Sequence, residues 1–119
     1  MDARTAALQL RTLEFGIRVV RLAQHYPRTP AGEVIAKQLV KAATGVGASY
    51  RAASRCRSAA EFSTRMSTVL AEADQSAFWL ALTGQADMIS GPTVGELYEE
   101  AQELVAIFAE SLLTVAHGG

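Results

Sequence analysis

Residues 37–57 read KQLVKAATGVGASYRAASRCR, and their order decides the fold. At about 100° per residue, Lys37, Lys41, Arg51 and Arg55 fall within about 80° of one another, with Thr44 and Ala48 between them. Ile35, Leu39, Ala42, Val46, Tyr50 and Ala53 gather on the opposite side. The segment is therefore a helix with a basic stripe and an apolar, small-residue face that packs on its neighbours. Gly45 and Gly47 stand inside it, each costing about 1 kcal/mol of helix propensity relative to Ala. Close approach of a second helix is the expected offset, and a kink is the alternative.

Working outward, three more helices follow from period and caps. Helix one is expected over about residues 4–25. Phe15, Val19, Leu22 and Tyr26 form one apolar line, and Leu10, Leu13, Ile17 and Val20 form a second. Two apolar faces on one helix predict burial on two sides. Arg4, Arg11, Arg18 and His25 recur every seven residues beside the first line, and Tyr26-Pro27 ends the helix. Helix two, over 30–54, opens on Thr29-Pro30, an N-cap followed by a proline suited to the first turn. Ser58-Ala-Ala-Glu61 has capping-box spacing and opens helix three, over 59–88. Its core stripe is Phe62, Met66, Val69, Ala73, Ala77, Leu80 and Gly84, broadened by Phe78, Trp79 and Leu82. After the turn residues Ser90-Gly91-Pro92, Thr93-Val-Gly-Glu96 reads as a second capping box for helix four, over 94–116. Leu97, Ala101, Leu104, Phe108, Ser111 and Val115 follow a heptad there.

Long helices on short connections predict one all-α domain over residues 1–119, an antiparallel up-down-up-down four-helix bundle. Helices one and three carry more apolar arc than a lone bundle buries, so a homo-oligomer is expected. Ile17, Phe78, Trp79 and Leu82 are the expected interface residues.

Of the 119 residues, half are hydrophobic and 7% aromatic, a profile of close-packed helices rather than disorder. No apolar run approaches the roughly 20 residues of a membrane span. The start, MDARTAALQLRTLEF, sets Asp2, Arg4 and Arg11 around short apolar stretches, unlike a secretory signal. With one cysteine there is no intramolecular disulfide, and a cytoplasmic location is expected. The net charge of −1 hides a division. Residues 1–65 hold all 11 Lys+Arg against four acids, giving +7, while 66–119 hold eight acids and no Lys or Arg, giving −8. That asymmetry suits a polyanion on one side, two halves of one bundle held together, or one subunit held to the next.

Chemistry is sparse. A di-iron site in a bundle needs Glu-x-x-His motifs, and neither His25 nor His117 follows a Glu by three. Gly45-Val-Gly47 lies mid-helix and lacks the setting of a phosphate-cradling loop. Glu72 and Asp74, two apart, point about 200° away from each other, so each reads as a solvated carboxylate or an ion-pair partner. Cys56, between Arg55 and Arg57, is either an incidental thiol or one with a lowered pKa. No catalytic residue, cofactor or metal ligand is expected, and the chain reads as non-enzymatic. The stripe of Lys37, Lys41, Arg51 and Arg55, extended by Arg57, is either a solvating face or a contact for RNA or DNA phosphates. No aromatic side chain rides on it to stack a base.

Three segments carry a family resemblance: Ile35–Ala53 (IAKQLVKAATGVGASYRAA), Ala60-Glu-Phe62, and Val69–Leu80 (VLAEADQSAFWL). In helix order they resemble the bacterial four-helix-bundle family named after the 23S rRNA intervening-sequence protein. The resemblance implies an antiparallel bundle assembled as a ring-like homopentamer, with no established catalytic residues. A related branch, the accessory variability determinant proteins of diversity-generating retroelements, implies nucleic acid and a reverse transcriptase as partners. The chain departs from the common Ser-Ile-Pro-Ser-Asn-Ile-Ala-Glu-Gly in mid-helix two, with Gly47 at the proline position and Ala52 at the acidic one. It is also near neutral, unlike the basic branch.

Overall fold

Three of the four helices begin at a side-chain cap. The computed structural model describes residues 1–116 and contains four helices: α1 (Ala3–Ala23), α2 (Pro30–Ala53), α3 (Ala59–Gln85) and α4 (Thr93–Ala116). Asp2 caps α1, its Oδ1 accepting from the Thr5 amide at 2.7 Å. That bond, with help from the Thr5 hydroxyl, holds the Asp2 carboxyl below its ordinary value. Thr29 caps α2 by accepting from Gly32 N at 3.1 Å, and Ser58 caps α3 by accepting from Glu61 N at 3.1 Å. A hydroxyl or carboxylate at these places satisfies an amide the helix leaves unpaired.

α1 runs over 3–23 rather than 4–25 and α2 ends at 53 rather than 54, and two further boundaries shift for local reasons. α3 stops at Gln85 rather than Met88, because Asp87 adopts a left-handed conformation, φ 53°. Met88 N then donates to Thr83 O and Asp87 N to Gly84 O. This is a Schellman closure with Asp in the seat glycine usually takes. α4 starts at Thr93, so Thr93 lies inside the first turn rather than capping it. The amide of Glu96 donates to the Pro92 carbonyl, which puts Pro92 at the N-cap position, where it has no side chain to accept a hydrogen bond. Tyr26 likewise lies beyond the end of α1, yet it is buried, its hydroxyl 2.6 Å from Thr83 Oγ1. Thr83 Oγ1 also reaches the Trp79 carbonyl, so the tyrosine donates to it.

All four helices feed one core. Phe15, Leu39, Met66, Leu80, Leu97, Leu104 and Phe108 are among its fully buried side chains. Each such large apolar group contributes roughly 1.5–3 kcal/mol over exposure. The α2 face expected to pack does so: Leu39, Ala42, Val46, Tyr50 and Ala53 are buried, and Ile35 is half-buried. α1 packs on α2, α2 on α3 and α3 on α4, while α1 meets α4 more sparsely. Across one diagonal, Tyr50 of α2 reaches Phe108 of α4, ring centres 5.4 Å apart.

The glycines of α2 are explained differently from one another. The helix runs unbroken through both. At Gly47 a Cβ would lie 3.4 Å from the Thr12 backbone, ordinary contact, so the α1–α2 approach is close but not beyond alanine. At Gly45 a Cβ would run into the Glu72 carboxylate, which sits over the glycine and accepts from Ser49 Oγ. Glu72 is therefore a half-buried inter-helix acceptor, not the solvated or ion-paired group its sequence suggests.

Candidate interaction surfaces

The basic stripe forms as the helical period requires. Lys37, Lys41 and Arg51 are exposed along α2, and Arg55 and Arg57 lie beyond its end in the α2–α3 turn, also exposed. None of the five has an acidic partner within 4.0 Å among the described residues, whereas Arg65 pairs with Glu61 at 3.4 Å. Three acids of the second half, Glu96, Glu100 and Glu103, pair with α1 instead. Arg11 Nε and Nη2 grip the two oxygens of Glu100, each at 2.7 Å, and Nη2 also reaches Glu103 at 3.0 Å. Arg18 meets Glu96 at 3.2 Å. The seven-residue row on α1 thus finds the acids of α4 and ties the sparse α1–α4 seam. The hydrogen bond from Arg11 holds the Glu100 carboxyl below its ordinary value against the opposing effect of burial.

Beside the stripe lies a surface the sequence reading did not assemble. The second apolar line of α1 stays in solvent: Leu10 and Leu13 are 56% exposed, Ile17 40% and Val20 42%. The single chain therefore buries α1 on one side, not two. With Gly16 of α1 and Thr44, Gly47 and Ala48 of α2 these residues line a groove of about 680 Å³, with Gln9, Arg21 and Arg51 also on its walls. The small residues of α2 leave room that bulkier side chains would close. The apolar line and the small-residue helix were both visible in the sequence, but only the packing of α1 on α2 brings them together.

Of the residues expected at an interface, Ile17 lies in this groove and Phe78 stands 57% exposed on α3. Trp79 and Leu82 are half-buried, and Trp79 packs on the core. Phe78 meets Trp79 edge to face, ring centres 5.0 Å apart and planes at 78°. Phe78 is thus the exposed member of an aromatic pair whose other member belongs partly to the interior.

The remaining candidates carry little chemistry. The Cys56 thiol is pushed up by desolvation, with the Glu61 carboxylate adding to the rise, so the alternative of a lowered pKa is corrected. Its Sγ points to the Ala52 carbonyl at 3.7 Å. His25 is exposed and shares a second, more polar cleft with Arg18, Arg21, Ser90 and Thr93. His117 lies outside the described residues. No group of three His, Cys, Asp or Glu side chains placed to hold a metal occurs among the described residues. No helix among them is long and apolar enough to cross a membrane.

The described residues thus define an all-α protein of four packed helices, without strands among them. No family model matches the chain, and no curated protein does. Among solved structures it is similar to a protein of unknown function from the S23 ribosomal protein family of Bacteroides thetaiotaomicron VPI-5482, a crystal structure at 1.70 Å resolution. The two superpose with a TM-score of 0.79 at 24% identity, over 87% of this chain and 96% of that one. At that identity the likeness establishes the fold. It agrees with the resemblance of Ile35–Ala53 and Val69–Leu80, and nothing in it speaks to the retroelement branch.

Proposed function

We propose that this chain is a member of the S23-type four-helix family and acts as a non-enzymatic, homo-oligomeric scaffold in the bacterial cytoplasm. The observation that carries the reading is the second apolar face of α1, where four large side chains stand in water beside a groove. A protomer that leaves four large apolar side chains open along one helix face is built for association. The antiparallel up-down-up-down arrangement is part of the reading. Arg11 meets Glu100 and Glu103 while Arg18, further along α1, meets the earlier Glu96. Gly47 faces Thr12, while Thr44, earlier on α2, faces Gly16, later on α1. Both orders support helices that run back along α1. A ring of five is what the family resemblance suggests. Light scattering at low and high salt tests the association, and a monomer in both conditions would overturn it.

A second reading concerns the stripe. Lys37, Lys41, Arg51, Arg55 and Arg57 are exposed and without acidic partners among the described residues, which supports contact with RNA or DNA phosphates. Four phosphates contacted on a single strand would give a log–log salt slope of about −3. Changing Lys37, Lys41, Arg51 and Arg55 to Glu should abolish binding to random RNA at low salt. Wild-type protein that shows no salt-dependent binding to RNA or DNA would remove this part of the function.

A further inference from the structure

We propose that copies of the chain join head to tail, the outward ridge of α3 around Phe78 in one copy seating in the α1–α2 groove of the next. The proposal rests on the oligomeric reading above and names the two surfaces that meet.

The ridge follows from helical period. Ala71, Asp74, Gln75, Phe78, Leu82 and Gln85 fall within about 100° of one another on α3. From Ala71 to Leu82 the ridge spans about 16 Å, and the groove from Leu10 to Val20 spans about 15 Å. The two are matched in length. They are matched in relief as well, since Phe78 projects and the groove recedes over Gly16, Gly47 and Ala48. Edge-on contact with Trp79 braces Phe78, so less side-chain freedom is lost on docking.

Charge selects the pairing. Arg21 and Arg51 on the groove walls are exposed and have no acidic partner within 4.0 Å among the described residues. The ridge offers Asp74, also exposed, and α3 has no Lys or Arg after Arg65. Groove against groove, the symmetric alternative, would bring the arginines of two copies together and leave Phe78 in water. Complementary charge steers the ridge to the groove and disfavours that alternative. Because the two surfaces differ, every copy keeps one free face of each kind until the chain of contacts closes into a ring or runs on as a filament.

Two variants that each lose one face test this. Phe78→Asp removes the ridge and Leu13→Asp blocks the groove; both positions are exposed, and circular dichroism melts check that each still folds. Ile17→Asp repeats the groove test should Leu13→Asp fail to fold. In sedimentation velocity the wild type should be multimeric and each variant monomeric. An equal mixture of the two should form a one-to-one dimer, since each retains the face the other lacks. A Phe78→Asp variant with the wild-type mass would overturn the proposal, as would a mixture that stays monomeric. In both cases a multimeric wild type leaves the oligomeric reading standing. A monomeric wild type overturns both.

Discussion

The two apolar faces of α1 carry similar residues and meet opposite fates. Phe15, Val19 and Leu22 are at most 4% exposed, whereas Leu10, Leu13, Ile17 and Val20, on the opposite side of the helix, are 40–56% exposed. The first face spends its hydrophobic free energy on the fold of the protomer. The second leaves it unused within the single chain. Helical period reveals that a face needs covering, and it does not say whether the same chain or another copy covers it.

That contrast breaks down if the two faces respond alike to truncation. Phe15→Ala should cost about 3–5 kcal/mol of unfolding free energy, measured by urea denaturation under monomeric conditions. Leu13→Ala in the same assay should stay within about 0.5 kcal/mol while weakening assembly. A loss at Leu13 equal to that at Phe15 would mean the second face is part of the protomer core.

The glycines divide between interior and groove in the same way. Gly32 is buried in the first turn of α2, where a Cβ would collide with the Pro27 backbone carbonyl. Gly32→Ala should cost about 2 kcal/mol or more. Gly47, at the groove, leaves ordinary contact distance to Thr12, and alanine there recovers about 1 kcal/mol of helix propensity. Gly47→Ala should therefore melt at or above the wild-type temperature.

A smaller effect lies on the α1–α4 seam. Arg11→Ala should cost on the order of 1 kcal/mol, the upper end for a partly exposed pair. The pH dependence has a definite sign. The folded Glu100 carboxyl titrates below its ordinary 4.5, chiefly through the hydrogen bond from Arg11. Its contribution is complete above that value and is lost as pH falls through the lower folded pKa. Acid titration of Arg11→Ala should lack this step. The smallest effect is at Cys56, whose raised thiol should alkylate more slowly at about pH 8 than a free cysteine.

Helix order and the core stripes of α2, α3 and α4 were legible because period and caps are local signals. Ser58 and Thr29 cap where their spacing says they should. The end of α3 was not legible, since it depends on Asp87 taking a conformation glycine usually takes. The role of Glu72 was hidden too, because it needs Gly45 and Ser49 from another helix to define it. The same limit applied to the candidate surfaces. The basic stripe could be drawn from α2 alone, but whether acids neutralised it depended on where α4 lay. The groove required two helices at once.

The most direct test of the account is the solution mass of the unmodified chain by light scattering across a dilution series. The expected mass is at least twice 12.7 kDa, falling toward 12.7 kDa when Leu13 or Ile17 is changed to Asp. A wild-type mass of 12.7 kDa at every concentration, in low and high salt, would contradict it.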